Sequence, residues 1–252
     1  MLVGASHECG GHRMRFECAS RTNVGLKRKI NEDSILVETE RGLWVVADGM
    51  GGHEAGEIAS NMVTDALRCL PAVTDLDELA GLAVEALRQV NRELIELARA
   101  GDRQQTIGTT VVGIAIADGF YRCFWMGDSR AYLLRGGEIM RVSHDHSLVQ
   151  NLVDAGMIKP EEAETHANAN LITRAVGVAE TVEVDIASGE ARSGDVFLLA
   201  SDGLTRLVGS DEILLHAASQ APQAAADRLI DLALDRGAPD NVSLIIIACR
   251  GG

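Results

Sequence analysis

Between residues 109 and 142 the chain reads as four strands in quick succession, 109–117, 120–127, 131–135 and 138–142. Only Asp118-Gly119, Gly127-Asp128 and Gly136-Gly137 punctuate them. Asp118-Gly119 and Gly136-Gly137 are hairpin signals, because a two-residue turn between strands needs positive φ at its central positions. Strands joined this tightly pair antiparallel, since a parallel pair needs a long crossover. The block therefore argues against an alternating βαβ sheet.

The flanking segments extend the pattern. Short strands are expected at 15–19, 34–39, 43–47, 182–187, 195–200 and 242–249. In 54–70 the residues Ile58, Met62, Ala66 and Leu70 share one helical face. In 75–100, Leu76, Leu79, Ala83, Leu87, Val90, Leu94 and Leu97 repeat at spacings of three and four, with Asp75 placed to cap the helix. Further helices are expected at 211–219 and 222–236, and 146–170 is polar and partly helical, broken by Gly156 and Pro160. Strands meeting strands with helices in pairs define an α+β fold. The expected architecture is two antiparallel β-sheets packed as a central sandwich and flanked by helix pairs.

The 252 residues suffice for one large domain with a substantial core. Residues 1–13 are expected to be a disordered leader, with 14–252 a single domain; the Gly-rich setting of His7, Cys9 and His12 outweighs their metal-binding potential. A formal net charge of −14 opposes binding to nucleic acid. No apolar run is long enough to cross a bilayer, and no basic segment followed by an apolar one marks a secretory signal. Five scattered cysteines without a CxxC pair point to reduced thiols and a cytoplasmic setting.

Four apolar runs meet an aspartate at a strand end. Val45-Val46-Ala47-Asp48-Gly49 and Leu199-Ala200-Ser201-Asp202-Gly203 share one design; Trp125-Met126-Gly127-Asp128 and Pro239-Asp240-Asn241-Val242 are variants of it. A single Asp-Gly reads as a turn. Four carboxylates presented rigidly from sheet edges would repel one another unless a cation sat among them. Oxygen donors without a Cys or His cluster favour Mg²⁺ or Mn²⁺ over zinc.

Taken in order, Arg28-Lys29-Ile30-Asn31-Glu32-Asp33, Val46 through Glu57, Gly108-Thr109-Thr110, Gly127-Asp128-Ser129-Arg130-Ala131-Tyr132, Asp145-His146-Ser147, Ile172 through Gly177, Ser201-Asp202-Gly203 and Asp240-Asn241-Val242-Ser243 resemble the motif series of bacterial protein phosphatase 2C (PPM) enzymes. The resemblance covers residues 15–249. It implies a metal-dependent serine/threonine protein phosphatase with two core Mn²⁺ or Mg²⁺ ions. Asp48 would bridge them, the Gly49 carbonyl would complete one, and Asp202 and Asp240 would hold the other. Glu32 and Asp33 would act through metal-bound water. Asp128, with Asp202, would hold a third and weaker ion. Arg28 would grip the substrate phosphate, and residues 147–170 match a variable flap beside the site. Asn23 departs from the aspartate frequent in relatives, at a position that is not a ligand.

The chemistry implied is in-line attack on phosphorus by a hydroxide bridging the metals, with His53 as general acid for the departing serine or threonine oxygen. A purely structural role for His53 in its Gly-rich turn stays open. His144 and His146 read as hydrogen-bonding or capping residues. The implied partners are phosphorylated proteins and an opposing serine/threonine kinase, with a monomeric enzyme, no nucleic acid and no membrane. A catalytically idle regulator with the same fold is the alternative, and a nuclease or small-molecule phosphatase a further one.

Overall fold

The computed structural model describes residues 14–51, 55–100, 106–163 and 166–251. Eleven strands are described, in two sheets whose pairings are all antiparallel. The first runs β1 (Arg15–Asn23), β11 (Val242–Arg250), β10 (Val196–Ala200), β7 (Arg130–Arg135) and β8 (Glu138–Arg141). The second runs β2 (Asp33–Glu38), β3 (Leu43–Met50), β5 (Val111–Ala117), β6 (Phe120–Met126) and β9 (Asp185–Glu190); the short β4 (Gly108–Thr109) pairs with the end of β3. Asp118 and Gly119, and Gly136 and Gly137, all have positive φ, as the two hairpin turns require.

Three apolar layers hold these sheets together. Between them lie Trp44, Val46, Ile114, Trp125, Phe197, Leu199 and Ile245. On the outer face of the second sheet, Leu43, Val45 and Ala47 pack under α1 (Ala55–Arg68) and α2 (Leu76–Ala100). On the outer face of the first, Leu198, Ala200, Leu244 and Ile246 pack under α6 (Ser210–Ala217) and α7 (Pro222–Asp235), beyond the one-turn α5 (Asp202–Thr205). Alternate residues of β3, β10 and β11 thus enter different layers. Both faces being covered, these strands read as unbroken apolar runs even though the sheets are antiparallel.

Two local expectations need correction. The buried stripe of α1 is Ala55, Ala59, Val63 and Leu67, one residue away from the expected one, and Ile58 is 43% exposed. Met62, Ala66 and Leu70 are only partly buried at its flank. Both stripes repeat every four residues; small side chains at 55 and 59 let the helix approach β3, and size decided which stripe went inward. Strand β9 lies three residues beyond the expected 182–187, because Val182 and Val184 join the helix-side core while β9 forms an edge with alternating burial. The N-cap of α2 is as expected: the Asp75 carboxylate accepts from the Glu78 amide at 2.8 Å.

Gly113 shows how tightly the second sheet is packed. It pairs directly with Phe124 on β6, and a Cβ there would come within 2.2 Å of the Phe124 ring. The ring covers the glycine and completes the core beneath α1 and α2. Gly113→Ala is therefore expected to lower the unfolding free energy by about 1–3 kcal/mol, the usual cost of overpacking. Urea denaturation checks this, and a midpoint equal to wild type would mean that Phe124 is free to move aside.

Candidate functional site

Strand ends from both sheets meet at one edge of the sandwich. Asp33 opens β2 and pairs directly with Asp48 near the end of β3, so two carboxylates stand side by side on the second sheet. Asp128 follows β6 in the turn of Gly127, whose φ is 120°. From the first sheet, Asp202 begins α5 just after β10, and Asp240 lies two residues before β11. Glu32, Asp48, Asp128, Asp202 and Asp240 line one cleft of about 260 Å³, with Arg28 at its rim. Asp33 sits behind them. The structure thus draws together every acid singled out in the sequence.

Short hydrogen bonds fix this edge. Thr110 donates its amide to the Asp48 carbonyl at 2.8 Å, and the Thr109 hydroxyl donates to the same oxygen at 2.9 Å. The Ser201 hydroxyl donates to Asp33 at 3.0 Å and itself accepts the Ser243 amide at 3.0 Å. Asn241 accepts the Glu32 amide at 2.8 Å and donates to the carbonyls of Val24 and Ile30 at 2.9 and 3.0 Å. That side chain clips the loop bearing Arg28 and Glu32 to the start of β11. At Gly49 a Cβ would lie 2.1 Å from the Gly56 carbonyl and 2.5 Å from that of Glu32, so only glycine fits.

The acids are electrostatically frustrated. Burial first, and then Asp33, Asp202, Asp128 and Asp240, hold the Asp48 carboxyl well above the usual carboxylate range. Burial pushes Asp33 up to about 7, against the lowering effect of the Ser243 and Ser201 hydroxyls and with a further push from Asp202 and Asp240. Asp128 is likewise pushed up to about 7, by burial and then Asp202, with Arg206 opposing. Asp202 and Glu32 are also raised, by burial above all, with Arg206 opposing at the first and Arg28 at the second.

Two arginines relieve part of this. Arg28 Nη2 donates to Asp240 at 2.9 Å. Arg206 places Nε 2.8 Å from Asp202 and Nη2 3.2 Å from Asp128. Among the described residues no three acids already stand in coordination geometry. Their chemistry nevertheless fits a divalent cation. Glu32 Oε1 and Asp33 Oδ1 are buried with no hydrogen-bond partner among the described residues. A buried acceptor left without a donor is costly, and a hard cation among all-oxygen donors offsets both that cost and the repulsion.

Other residues singled out in the sequence serve the frame. His146 accepts the Gly127 amide at Nδ1 (3.2 Å), and its Nε2 lies 3.2 Å from Asp185; burial lowers its pKa. His144 Nε2 lies 2.7 Å from Asp154, and Ser147, not a histidine, caps α3 (Leu148–Asp154). His53 lies outside the described residues. Sequence reasoning missed Arg206 as a site residue and Asn241 as a clip. For Arg206 the only signal was its position one helical turn after Asp202.

The fold and cleft define a class: an α+β two-sheet sandwich with helices outside and a carboxylate-lined cleft at one shared sheet end. The chain belongs to the protein phosphatase 2C family, whose family model matches residues 27–233. The serine/threonine protein phosphatase PstP of Mycobacterium tuberculosis is 42% identical over 230 residues, 90% of this chain but 44% of PstP. The chain therefore spans less than half the length of that relative. Protein phosphatase PhpP of Streptococcus pneumoniae is 34% identical over 240 residues, 92% of this chain and 97% of PhpP. A solved structure of the PstP catalytic domain in complex with two manganese ions superposes with a TM-score of 0.83 at 37% identity, covering 94% of this chain and 99% of that one.

The crowded acids give a pH signature. With folded values near 7 against 3.8 ordinarily, Asp33 and Asp128 contribute stability that is full below 3.8 and lost as pH rises through about 7. In chelator, Asp33→Asn is therefore expected to melt at a higher temperature than wild type at pH 8, with a smaller difference at pH 5. Thermal unfolding at the two pH values checks this, and a gap that does not widen with pH counts against the frustrated cluster.

Proposed function

We propose that this chain is a metal-dependent protein phosphatase that hydrolyses phosphoserine and phosphothreonine in proteins. The observation that carries the reading is the convergence of Glu32, Asp33, Asp48, Asp202 and Asp240 at one sheet end, with the Arg28 guanidinium at the rim. Mn²⁺ or Mg²⁺ bound there would supply Lewis-acid charge and bring coordinated water toward neutrality in pKa. Asp48, with the Gly49 carbonyl, would hold the ions from the second sheet. Asp202 and Asp240 would hold from the first, and Glu32 and Asp33 would orient water through their unpartnered oxygens. The manganese in the PstP structure supports this assignment.

Arg28 would bind the phosphoryl oxygens. Its side chain is 48% exposed and one nitrogen is engaged with Asp240, so its fork is free to turn toward a substrate once a cation neutralises that acid. His53 would protonate the leaving oxygen. Substrate selection would fall to residues 147–170, where α3 and α4 (Pro160–Ala163) stand and whose last residue, Asn170, lines the cleft. A bacterial serine/threonine kinase would supply the substrates. Among the described residues no helix is long and apolar enough to cross a membrane.

The direct test is release of phosphate from a phosphothreonine peptide with Mn²⁺, with a nucleotide as competing substrate. Asp48→Asn is expected to abolish turnover and Arg28→Ala to raise KM with Mn²⁺ affinity near wild type by calorimetry. An idle regulator would show no turnover despite bound metal, and preference for the nucleotide would point to a small-molecule phosphatase.

Proton donation by His53 has its own signature. An alkoxide needs protonation to leave, whereas p-nitrophenolate does not, and general acid catalysis contributes roughly 10²–10⁴-fold. His53→Gln is expected to slow phosphopeptide hydrolysis by a factor in that range and p-nitrophenyl phosphate hydrolysis far less. Equal losses on both substrates would make His53 a loop-positioning residue.

A further inference from the structure

Asp128 and Asp202 come from different sheets, yet a single side chain ties them together. Arg206 follows α5 at its C-terminal cap, one turn after Asp202, so its Nε reaches back to Asp202 at 2.8 Å. Its Nη2 reaches across to Asp128 at 3.2 Å and to the carbonyl of Ala169 at 3.4 Å. The side chains of Asp128 and Asp202 are 8% and 18% exposed, and Arg206 is the ion-pair partner of both among the described residues. Arg130, the nearest arginine in sequence to Asp128, is taken up by Asp145 through a contact at 2.7 Å.

We propose that Arg206 is a built-in counter-cation that occupies the Asp128–Asp202 pair and closes this part of the cleft to a further divalent ion. A guanidinium keeps its charge at every accessible pH, and its planar fork spans two acids as a point charge does not. A divalent ion held by Asp128 and Asp202 would have to expel that fork, breaking charge-assisted contacts to one buried and one partly buried carboxylate. It would also release Ala169, and with it a tie to the segment that ends beside the cleft at Asn170. Among the described residues Asp48 and Asp240 make no ion pair with Arg206, and Asp202, which would also serve a core ion, meets it through Nε alone; Asp128 is the acid that Arg206 engages without a core ion to share it. On this view the chain works with two ions, and Arg206 supplies the positive charge where a third would sit.

The inference rests on the metal-dependent reading of the cleft, and ion counting separates the two. Calorimetric titration of the whole chain with Mn²⁺, followed by electron paramagnetic resonance, is expected to give two ions for wild type. Arg206→Gln is expected to take up a third, bound about 10-fold or more tighter than any such ion in wild type, the scale of charge-assisted contacts that need not be broken. Asp128→Asn in the Arg206→Gln background should remove that third ion. Should Arg206→Gln unfold, Arg206→Lys keeps the charge without the fork and should admit the ion with intermediate affinity. A third ion in wild type as tight as in the variant, or no third ion in either variant, overturns the inference and leaves the two-metal reading standing. Failure of wild type to bind any Mn²⁺ defeats both.

Discussion

Carboxylates that cannot move apart are the constraint on which this molecule turns. Asp33 and Asp48 are locked beside each other by the β2–β3 ladder, while Asp202 and Asp240 are delivered by the sheet that packs against it. In a partly buried cleft the repulsion between such charges is far less screened than in water. Asp33, Asp48 and Asp128 have little room to relieve it by turning into solvent, whereas Asp240, 39% exposed, meets Arg28 at the rim. Protonation, an arginine or a metal ion must absorb the excess charge. The raised carboxyls lean toward the first remedy, and the ion pairs of Arg28 and Arg206 supply the second.

The stability needed to hold that arrangement comes from far behind it. Trp44, Phe197 and Ile245 fill the space between the sheets, and the helix pairs seal the two outer faces. Fully burying a large apolar side chain contributes roughly 1.5–3 kcal/mol, and dozens of such side chains offset the local penalty of the acids. Closer in, precision comes from polar contacts. Asn241, with its three hydrogen bonds, sets the loop of Glu32 against β11, and Arg130 with Asp145 braces the turn that carries Asp128. These contacts hold the loop and the turn from which Glu32 and Asp128 project.

What the sequence revealed follows from where the information is stored. An apolar run ending in Asp-Gly is local, so Asp48 and Asp202 could be read directly, as could the hairpins at Asp118-Gly119 and Gly136-Gly137. The buried stripe of α1 could not, because its two candidate stripes share one period and the choice depended on how closely β3 lets the helix approach. Asn241 was visible only as part of a motif; its clip role depends on carbonyls at Val24 and Ile30 more than two hundred residues away. Arg206 had no pattern of its own. Its importance arises from the meeting of Asp202 with Asp128, a contact between sheets that no periodicity encodes.

Arg28 and Arg206 carry the same guanidinium to the same cleft, and their surroundings hold them to different degrees. Arg28 is 48% exposed, sits on a loop and contacts one carboxylate through one nitrogen. Arg206 is 34% exposed, springs from a helix end and contacts two carboxylates and a carbonyl. Neutralising Asp240 therefore releases the first arginine, whereas no single event at one acid releases the second. A cation held by one contact at the rim is the arrangement the proposed phosphate binding by Arg28 would use. A cation held by three contacts deeper in suits two acids that the fold keeps close together. The division depends on the number of partners and on backbone support, since residue type is common to both.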